Sequence, residues 1–243
     1  MKKLLSYPLS IIYYFFFGLL LLVFHPIQWV CLNIGGYNAH RKSVAYLNFF
    51  ITHLIYILGG SVSFRINFPL PLDAPLIIVA NHQSLHDIPP FFWHMRKYHP
   101  KFVSKIELGK GIPSVSYNLR HGGSALINRK DPKQALKTIM KFGRYLEKSK
   151  NAGIIFPEGT RSRNGVPKRF SSNGLKMLTK TAPSSYVVPV TINNSWKLLK
   201  NGNFPLELGV HLILDVHEPI KTSDYEFDIL FEKVEDVVKN GVV

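Results

Sequence analysis

The chain has 243 residues, which is enough to bury the core of one globular domain beside a membrane attachment. Its 30 Lys and Arg against 15 Asp and Glu give a formal net charge of +15, which favours an anionic partner such as nucleic acid, acidic lipid or a phosphorylated substrate. The single cysteine excludes an intrachain disulfide.

The chain begins with a strongly apolar segment. Residues 4–40 contain no Asp, Glu, Lys or Arg, and residues 8–24 alone reach the lower limit for a helix that spans a bilayer. A cleaved signal peptide is the alternative, since two lysines precede the apolar run. The residues that follow the run lack the small-x-small pattern of a cleavage site, so we predict that the segment is retained in the membrane.

A second uncharged segment covers residues 43–64. Basic residues flank the first apolar segment on both sides, so the positive-inside rule does not support one simple crossing. We therefore predict that residues 1–60 form a pair of membrane helices that dips into one leaflet and turns near Gly35 and Gly36. A single span is the alternative.

After Gly60 the pattern changes to short apolar strands that alternate with amphipathic helices. This pattern is typical of an α/β domain, and we predict a mixed β-sheet flanked by helices over residues 61–243. The predicted strands are residues 61–68, 76–79, 153–156, 186–191 and 210–216.

Two helices and one unusual strand are predicted in this domain. Residues 131–148 form an amphipathic helix with one apolar face, made of Ala135, Leu136, Ile139, Phe142 and Leu146. Ser223 and Glu226 have the spacing of a capping box for a last helix, which would bury Ile229, Leu230, Val234 and Val237. Pro189 interrupts an apolar strand and indicates an edge strand or a bulge.

Polar residues appear abruptly after the strand at residues 76–79, in the segment Asn-His-x4-Asp. The ends of strands are where α/β proteins build their sites. His82 can accept a proton from an alcohol near neutral pH, and Asp87 can fix its tautomer and stabilise the imidazolium. Because a regular helix does not align residues five apart, a turn must bring the two together. A histidine that caps a helix is the alternative.

The same segment allows a metal site. His82 and His86 have the i,i+4 spacing by which a helix presents two imidazoles to zinc, with Asp87 as a third ligand. The glutamate that normally accompanies such a pair is missing, which disfavours zinc.

Paired glycines followed by a short apolar strand deliver Arg129 to the end of that strand. A guanidinium in such a place can bind phosphate through two hydrogen bonds, and paired glycines permit a tight turn. A turn, a strand and a surface arginine remain the alternative.

The segment Phe-Pro-Glu-Gly-Thr-Arg at residues 156–161 also follows a buried strand. Its proline and Gly159 force a bend that exposes Glu158, Thr160 and Arg161. A carboxylate beside two arginines, Arg161 and Arg163, in a turn that can bind an anion suits a polyol phosphate. A salt-bridged loop is the alternative.

Together, Asn-His-x4-Asp, Gly-x-x-Leu-Ile-Asn-Arg, Phe-Pro-Glu-Gly-Thr-Arg and Val-Pro-Val resemble the four blocks of the glycerophospholipid acyltransferase family, specifically of 1-acyl-sn-glycerol-3-phosphate acyltransferases. The resemblance runs from about residue 76 to residue 192 and is far more specific than any one block. Two small departures are Leu126, where many members have an aromatic residue, and Asn128, where many have Asp.

The resemblance implies roles for the site residues. His82 would deprotonate the free hydroxyl of a lysolipid as it attacks a thioester, with Asp87 supporting the histidine. Arg129 and Arg161 would bind the acceptor phosphate and Glu158 would orient the glycerol, in a binding segment that includes Gly159 and Thr160. Backbone donors near Gly159 would stabilise the oxyanion. No metal or redox cofactor is implied.

The implied reaction moves an acyl group from acyl-CoA or acyl carrier protein to the sn-2 hydroxyl of lysophosphatidic acid and gives phosphatidic acid. The expected partners are these substrates and membrane lipids, with the catalytic domain on the cytoplasmic face. Nucleic acid is disfavoured, because a membrane anchor and a mixed Glu and Arg site do not resemble a groove that follows phosphates. The alternatives are another acceptor, such as an amino-acid-linked lysolipid, and a non-catalytic tether that binds anionic lipid.

Overall fold

The computed structural model describes residues 2–243 and begins with a long helix that folds back on itself. Helix α1 (Lys2–His53) leaves the helical conformation at Gly36, where φ is 70° and ψ is −169°. Leu21 packs in one cluster with Leu47 and Ile51. In a straight helix Leu21 and Ile51 would be about 45 Å apart, so α1 consists of two adjacent limbs that join at Gly36.

The outer face of α1 is apolar and exposed. Large apolar side chains lie on the surface of both limbs, among them Leu4, Ile11, Phe15, Leu22, Trp29, Ile34 and Phe50. By length and composition, residues 2–58 form a helix that could cross a membrane. This is a weak sign of membrane association, and the insertion of the two limbs into one leaflet stays a prediction.

The predicted mixed sheet is confirmed. It has eight strands, in the order β1-β7-β6-β2-β5-β3-β4, with β8 paired to β6. Strand β6 is antiparallel to β7 and β8, whereas the other pairs are parallel. The strands are β1 (Ser61–Ile66), β2 (Leu76–Ala80), β3 (Lys101–Lys105), β4 (Ala125–Ile127), β5 (Ala152–Ile155), β6 (Tyr186–Asn193), β7 (His211–Val216) and β8 (Ile220–Lys221).

Helices cover both faces of the sheet. One core lies between the sheet, the second limb of α1 and α2 (Ile88–His94), and the other core lies between the sheet and three later helices. Those three are α4 (Pro132–Ser149), α5 (Ser172–Thr181) and α6 (Phe227–Asn240), while α3 (Val115–His121) lies along α1. Alternate residues of β2 point to opposite cores, which is the period of a strand buried on both faces.

The predicted capping box of the last helix is wrong. Ser223 lies in a separate short turn, Thr222–Asp224, and its hydroxyl donates to the carboxylate of Asp224. Glu226 is the residue before α6 and makes no side-chain capping bond. The buried face of α6 consists of Leu230, Val234 and Val238, whereas Ile229 is exposed.

Of the two alternatives predicted for Pro189, the edge strand is wrong, because β6 lies in the middle of the sheet, whereas the strand register agrees with a bulge. On the side away from β2, strand β8 pairs with residues 186–187 and β7 pairs with residues 190–193. Between these two stretches, residues 188–189 of β6 face three residues, 217–219, so Pro189 lies at a one-residue bulge where neither strand pairs with β6. A residue without an N–H group is tolerated at such an interruption.

Helix α4 is held to the sheet by Leu146, which is fully buried. We expect Leu146→Ala to lower the free energy of unfolding by about 2–5 kcal/mol, because it leaves a cavity in the core. Leu136, on the same helix, is 37% exposed although the sequence places it on the apolar face. Leu136→Ala is the matched control and should change stability by about 0.5 kcal/mol or less in thermal unfolding in detergent. Equal losses in the two variants would contradict this packing.

Candidate active site

The site residues lie at the carboxyl ends of the parallel strands in the middle of the sheet. Strands β2 and β5 are neighbours, and Val79 pairs with Ile155 near their carboxyl ends. The segments that follow these strands carry His82 and Glu158, so the pairing of β2 with β5 brings two blocks of the resemblance together. Carboxyl ends of parallel strands are the usual place for a ligand site in this architecture.

His82 and Asp87 form a hydrogen-bonded pair, in which Nδ1 of His82 lies 2.8 Å from Oδ2 of Asp87. A short turn, Leu85–Asp87, connects the two, as the five-residue spacing requires, and Ser84 caps it. The imidazole stacks on the ring of Phe156, with centroids 4.1 Å apart. Nε2 of His82 has no hydrogen-bond partner within residues 2–243. This nitrogen can therefore accept a proton from a ligand.

Asp87 is completely buried and surrounded by donors. Its Oδ2 atom also accepts from the backbone N–H groups of Gln83 and Ser84, at 2.7 and 2.9 Å, and its Oδ1 atom accepts from the hydroxyl of Ser195. Burial alone would raise the pKa of this carboxyl. The hydrogen bond and charge of His82, with the bonds from Ser195 and Ser84, outweigh burial and hold the pKa below its ordinary value. Asp87 is thus kept as a carboxylate.

This lowered pKa predicts how stability depends on pH. A carboxyl with a lower pKa in the folded state stabilises the fold above its unfolded pKa, and that contribution is lost as the pH falls through the folded pKa. We expect wild-type protein to lose thermal stability as the pH falls from about 5 to about 2, and Asp87→Asn to lose less over the same interval. Melting temperatures of both proteins across this range provide the measurement. Parallel curves would contradict the prediction.

Glu158 receives backbone hydrogen bonds on both oxygens. Oε1 accepts from the N–H of His82 at 2.7 Å, and Oε2 accepts from the N–H of Lys168 at 2.9 Å. Burial raises the pKa of this carboxyl, although the two backbone donors act in the opposite direction. Glu158 therefore connects the loop after β5 to the backbone of the histidine. Its predicted contact with glycerol stays a prediction.

Further bonds close the loop that carries Glu158. The carbonyl of His82 accepts from the backbone N–H of Ser162 at 2.8 Å. Lys168 Nζ donates to the hydroxyl of Thr160 at 2.8 Å and to the carbonyl of Arg161 at 2.9 Å. Residues 158–168 are therefore held against the histidine by both main-chain and side-chain bonds.

Gly159 forms the bend of this loop. Its φ of 70° lies in the left-handed region, which suits glycine, and its N–H donates to the carbonyl of Phe156 at 3.0 Å. That N–H is therefore occupied by the turn. The prediction that backbone donors near Gly159 stabilise an oxyanion does not extend to this amide.

Two arginines complete the site. Nη1 of Arg129, beyond the end of β4, donates to the carbonyl of Gly159, so the glycine-rich block reaches the loop after β5. The guanidinium of Arg161 is exposed and makes no hydrogen bond or ion pair within residues 2–243. A free guanidinium beside a histidine can bind a phosphate group through two hydrogen bonds.

The two histidines of the zinc hypothesis have separate partners. His82 bonds to Asp87, whereas Nε2 of His86 lies 2.8 Å from the hydroxyl of Tyr13 on α1. Burial, followed by the charge of Arg161, lowers the pKa of His86 to about 4, although the carboxylate of Asp87 acts in the opposite direction. Its imidazole is therefore neutral near pH 7.

Several residues of the site escape sequence reasoning. Phe156 stands in a recognised block, yet its stacking on His82 depends on the approach of β5 to β2. Ser195 and Lys168 have no spacing relation to the residues they bond. Asn81 is different, since it directly precedes His82, and its side-chain amide makes two bonds to the backbone of Ile192, at 2.7 and 2.8 Å. It joins the end of β2 to the strand that contains Val-Pro-Val.

A family model described as acyltransferase matches residues 61–193 of the chain. Its curated relatives include the 1-acyl-sn-glycerol-3-phosphate acyltransferase of Borreliella burgdorferi, with 29% identity over 174 residues, covering 70% of this chain and 66% of that protein. The chloroplastic relative LPAT1 of Arabidopsis thaliana, also named a 1-acyl-sn-glycerol-3-phosphate acyltransferase, has 28% identity over 180 residues, covering 70% and 49%. The matches thus span about half to two thirds of these relatives.

A solved structure is similar over nearly the whole chain. The crystal structure of the 1-acyl-sn-glycerophosphate acyltransferase PlsC from Thermotoga maritima superimposes with a TM-score of 0.81 at 26% sequence identity. The alignment covers 99% of this chain and 96% of that one. The similarity therefore includes α1 as well as the α/β domain.

Proposed function

The chain belongs to the acyltransferase family, whose model covers more than half of it, and on this premise we propose that it acylates the sn-2 hydroxyl of 1-acyl-sn-glycerol 3-phosphate. The donor is a fatty acyl thioester, acyl-CoA or acyl carrier protein, and the product is phosphatidic acid. The observation that carries the proposal is the bonded pair of His82 and Asp87 at the carboxyl end of β2, in which Nε2 of His82 has no hydrogen-bond partner among residues 2–243.

The reaction needs one proton acceptor and one good leaving group. Nε2 of His82 takes the proton of the sn-2 hydroxyl while the hydroxyl oxygen attacks the carbonyl carbon of the thioester. The carbon–sulfur bond then breaks, the acyl group stays on the acceptor oxygen, and the thiolate leaves and takes the proton back from His82. Asp87 keeps Nδ1 protonated and stabilises the imidazolium in between. This scheme uses no metal or redox cofactor.

The acceptor is held by its phosphate. Arg129 and Arg161 lie on the two blocks that meet beside His82, and a pair of guanidinium groups suits a phosphate monoester. Holding the phosphate fixes the distance from the headgroup to the hydroxyl that reacts. Exposed apolar side chains on α1 support our proposal that the enzyme works at a membrane, where the lysolipid and the acyl chain reside. We place the catalytic domain on the cytoplasmic face, where both candidate donors occur.

An acylation assay with purified protein in detergent or vesicles tests the proposal. The assay pairs each donor, acyl-CoA and acyl carrier protein, with lysophosphatidate and with lysolipids that have other headgroups. We expect turnover with lysophosphatidate. Turnover only with another lysolipid would replace the acceptor in the proposal, whereas folded protein that is inert in every pairing would refute it and favour a lipid-binding tether.

A further inference from the structure

The apolar helix α1 makes one polar contact with the turn that carries Asp87. His86 is the middle residue of that turn, it is 7% exposed, and its Nε2 lies 2.8 Å from the hydroxyl of Tyr13. Nδ1 of His86 is buried and has no partner within residues 2–243. The hydroxyl of Tyr13 is therefore the sole hydrogen-bond partner of this imidazole in that range.

Tyr13 is placed so that its hydroxyl can make this bond and little else. It is 1% exposed and lies in the first limb of α1, where it packs in a cluster that includes Leu58, Leu206 and Leu212. Neighbouring polar groups on the same limb bond to a different segment, residues 203–206. The hydroxyl of Ser10 accepts from the N–H of Leu206 at 2.8 Å, and the hydroxyl of Tyr14 donates to the carbonyl of Asn203 at 2.5 Å.

We infer that Tyr13 is a positioning residue for the His82–Asp87 pair, acting through its hydrogen bond to His86. The inference rests on the proposed function. Asp87 directly follows His86 in this turn, and the carboxylate of Asp87 bonds to the imidazole of His82. A rotation of the turn would therefore change the orientation of the His82 imidazole. Small displacements of a catalytic group cost large factors in rate. The apolar helix is thus part of the catalytic apparatus as well as a candidate membrane attachment.

Tyr13→Phe tests the inference, and Tyr14→Phe is the matched control. Both remove one hydroxyl from the same limb of α1, but the hydroxyl of Tyr14 bonds to a loop that does not carry the pair. We expect Tyr13→Phe to lower kcat about tenfold or more with little change in KM. Tyr14→Phe should leave kcat within about twofold of wild type, as a substitution outside the chain of contacts does. Circular dichroism and vesicle binding report whether each variant is folded and attached.

A rescue separates positioning from general destabilisation. In His86→Gln the amide nitrogen can occupy the place of Nε2 and bond to Tyr13, whereas His86→Leu removes every polar atom of the side chain. We expect Gln to retain most of kcat and Leu to lose it. Unchanged kcat in Tyr13→Phe, or an equal loss in Tyr14→Phe, would overturn the inference.

One readout does not depend on turnover. The rate at which diethyl pyrocarbonate modifies His82, measured by mass spectrometry, should differ from wild type in Tyr13→Phe, because a rotation of the turn changes how the imidazole held by Asp87 is presented to the reagent. A rate equal to wild type would refute the positioning role. Inert wild-type protein would instead count against the proposed function, and this modification rate would still test the role of Tyr13.

Discussion

Replacing His82 by alanine is expected to lower kcat by about 10²- to 10⁴-fold, the range associated with loss of a general base. In the structure Nε2 of His82 has no hydrogen-bond partner within residues 2–243, while Nδ1 bonds to Asp87, so the proposed mechanism makes Nε2 the proton acceptor. Without the imidazole, the attacking hydroxyl must lose its proton to water. The measurement is the initial rate of phosphatidate formation at saturating lysophosphatidate and donor.

A second variant that preserves the fold is needed beside His82→Ala, because alanine removes the imidazole that donates to the buried carboxylate of Asp87. His82→Asn supplies an amide nitrogen close to the place of Nδ1 and still offers no base. We expect it to be folded and as inactive as the alanine variant. His121→Ala removes an exposed imidazole at the end of α3 and should retain full activity. A folded His82→Asn that keeps more than about one tenth of kcat would contradict general-base catalysis by this residue.

The sequence predicts the two residues of the His82–Asp87 pair better than it predicts the residues that hold them in place. His82 and Asp87 are five residues apart, so their meeting requires only a local turn, and local turns are readable from sequence. Ser195 bonds to Asp87 and Tyr13 bonds to His86, and in both cases the two partners are more than seventy positions apart in the sequence. Their contacts depend on how β6 and α1 pack against β2. The spacing of residues along the sequence does not predict that packing.

The same division holds for the fold. Strands β2 and β5 are continuous apolar runs, and the sequence predicts them to within one residue at each end. Pro189 lies at a bulge in a central strand and not in an edge strand, and the sequence could not decide between these two, because the bulge comes from two strands pairing with β6 in succession. Ser223 has the spacing of a capping residue but belongs to a turn of its own. Local periodicity therefore predicts a strand reliably where the whole strand is buried. It fails where the local structure depends on residues that are distant in the sequence but adjacent in the fold.

Glu158 is the residue whose predicted role the geometry changes most. The resemblance assigns it to the glycerol of the acceptor, yet both of its oxygens accept backbone N–H groups, from His82 and Lys168. Each oxygen keeps a second lone pair, so contact with a hydroxyl is compatible with the structure. The two roles differ in kinetics. A carboxylate that binds glycerol in the ground state lowers KM, whereas one that fixes the backbone of His82 acts on kcat.

Glu158→Gln separates these roles. A glutamine has only one accepting oxygen, so it can keep only one of the two hydrogen bonds from the backbone N–H groups of His82 and Lys168. Its NH2 group would face the other N–H, and two donors in contact repel each other. We expect kcat to fall by about 10- to 100-fold with KM for lysophosphatidate nearly unchanged, because His82 moves relative to a phosphate that Arg129 and Arg161 still hold. Glu147→Gln, which makes the same change in a carboxylate that accepts from the backbone and hydroxyl of Ser184 outside the site, is the matched control and should have a much smaller effect on kcat. A rise in KM with kcat intact would return Glu158 to the role of a glycerol ligand.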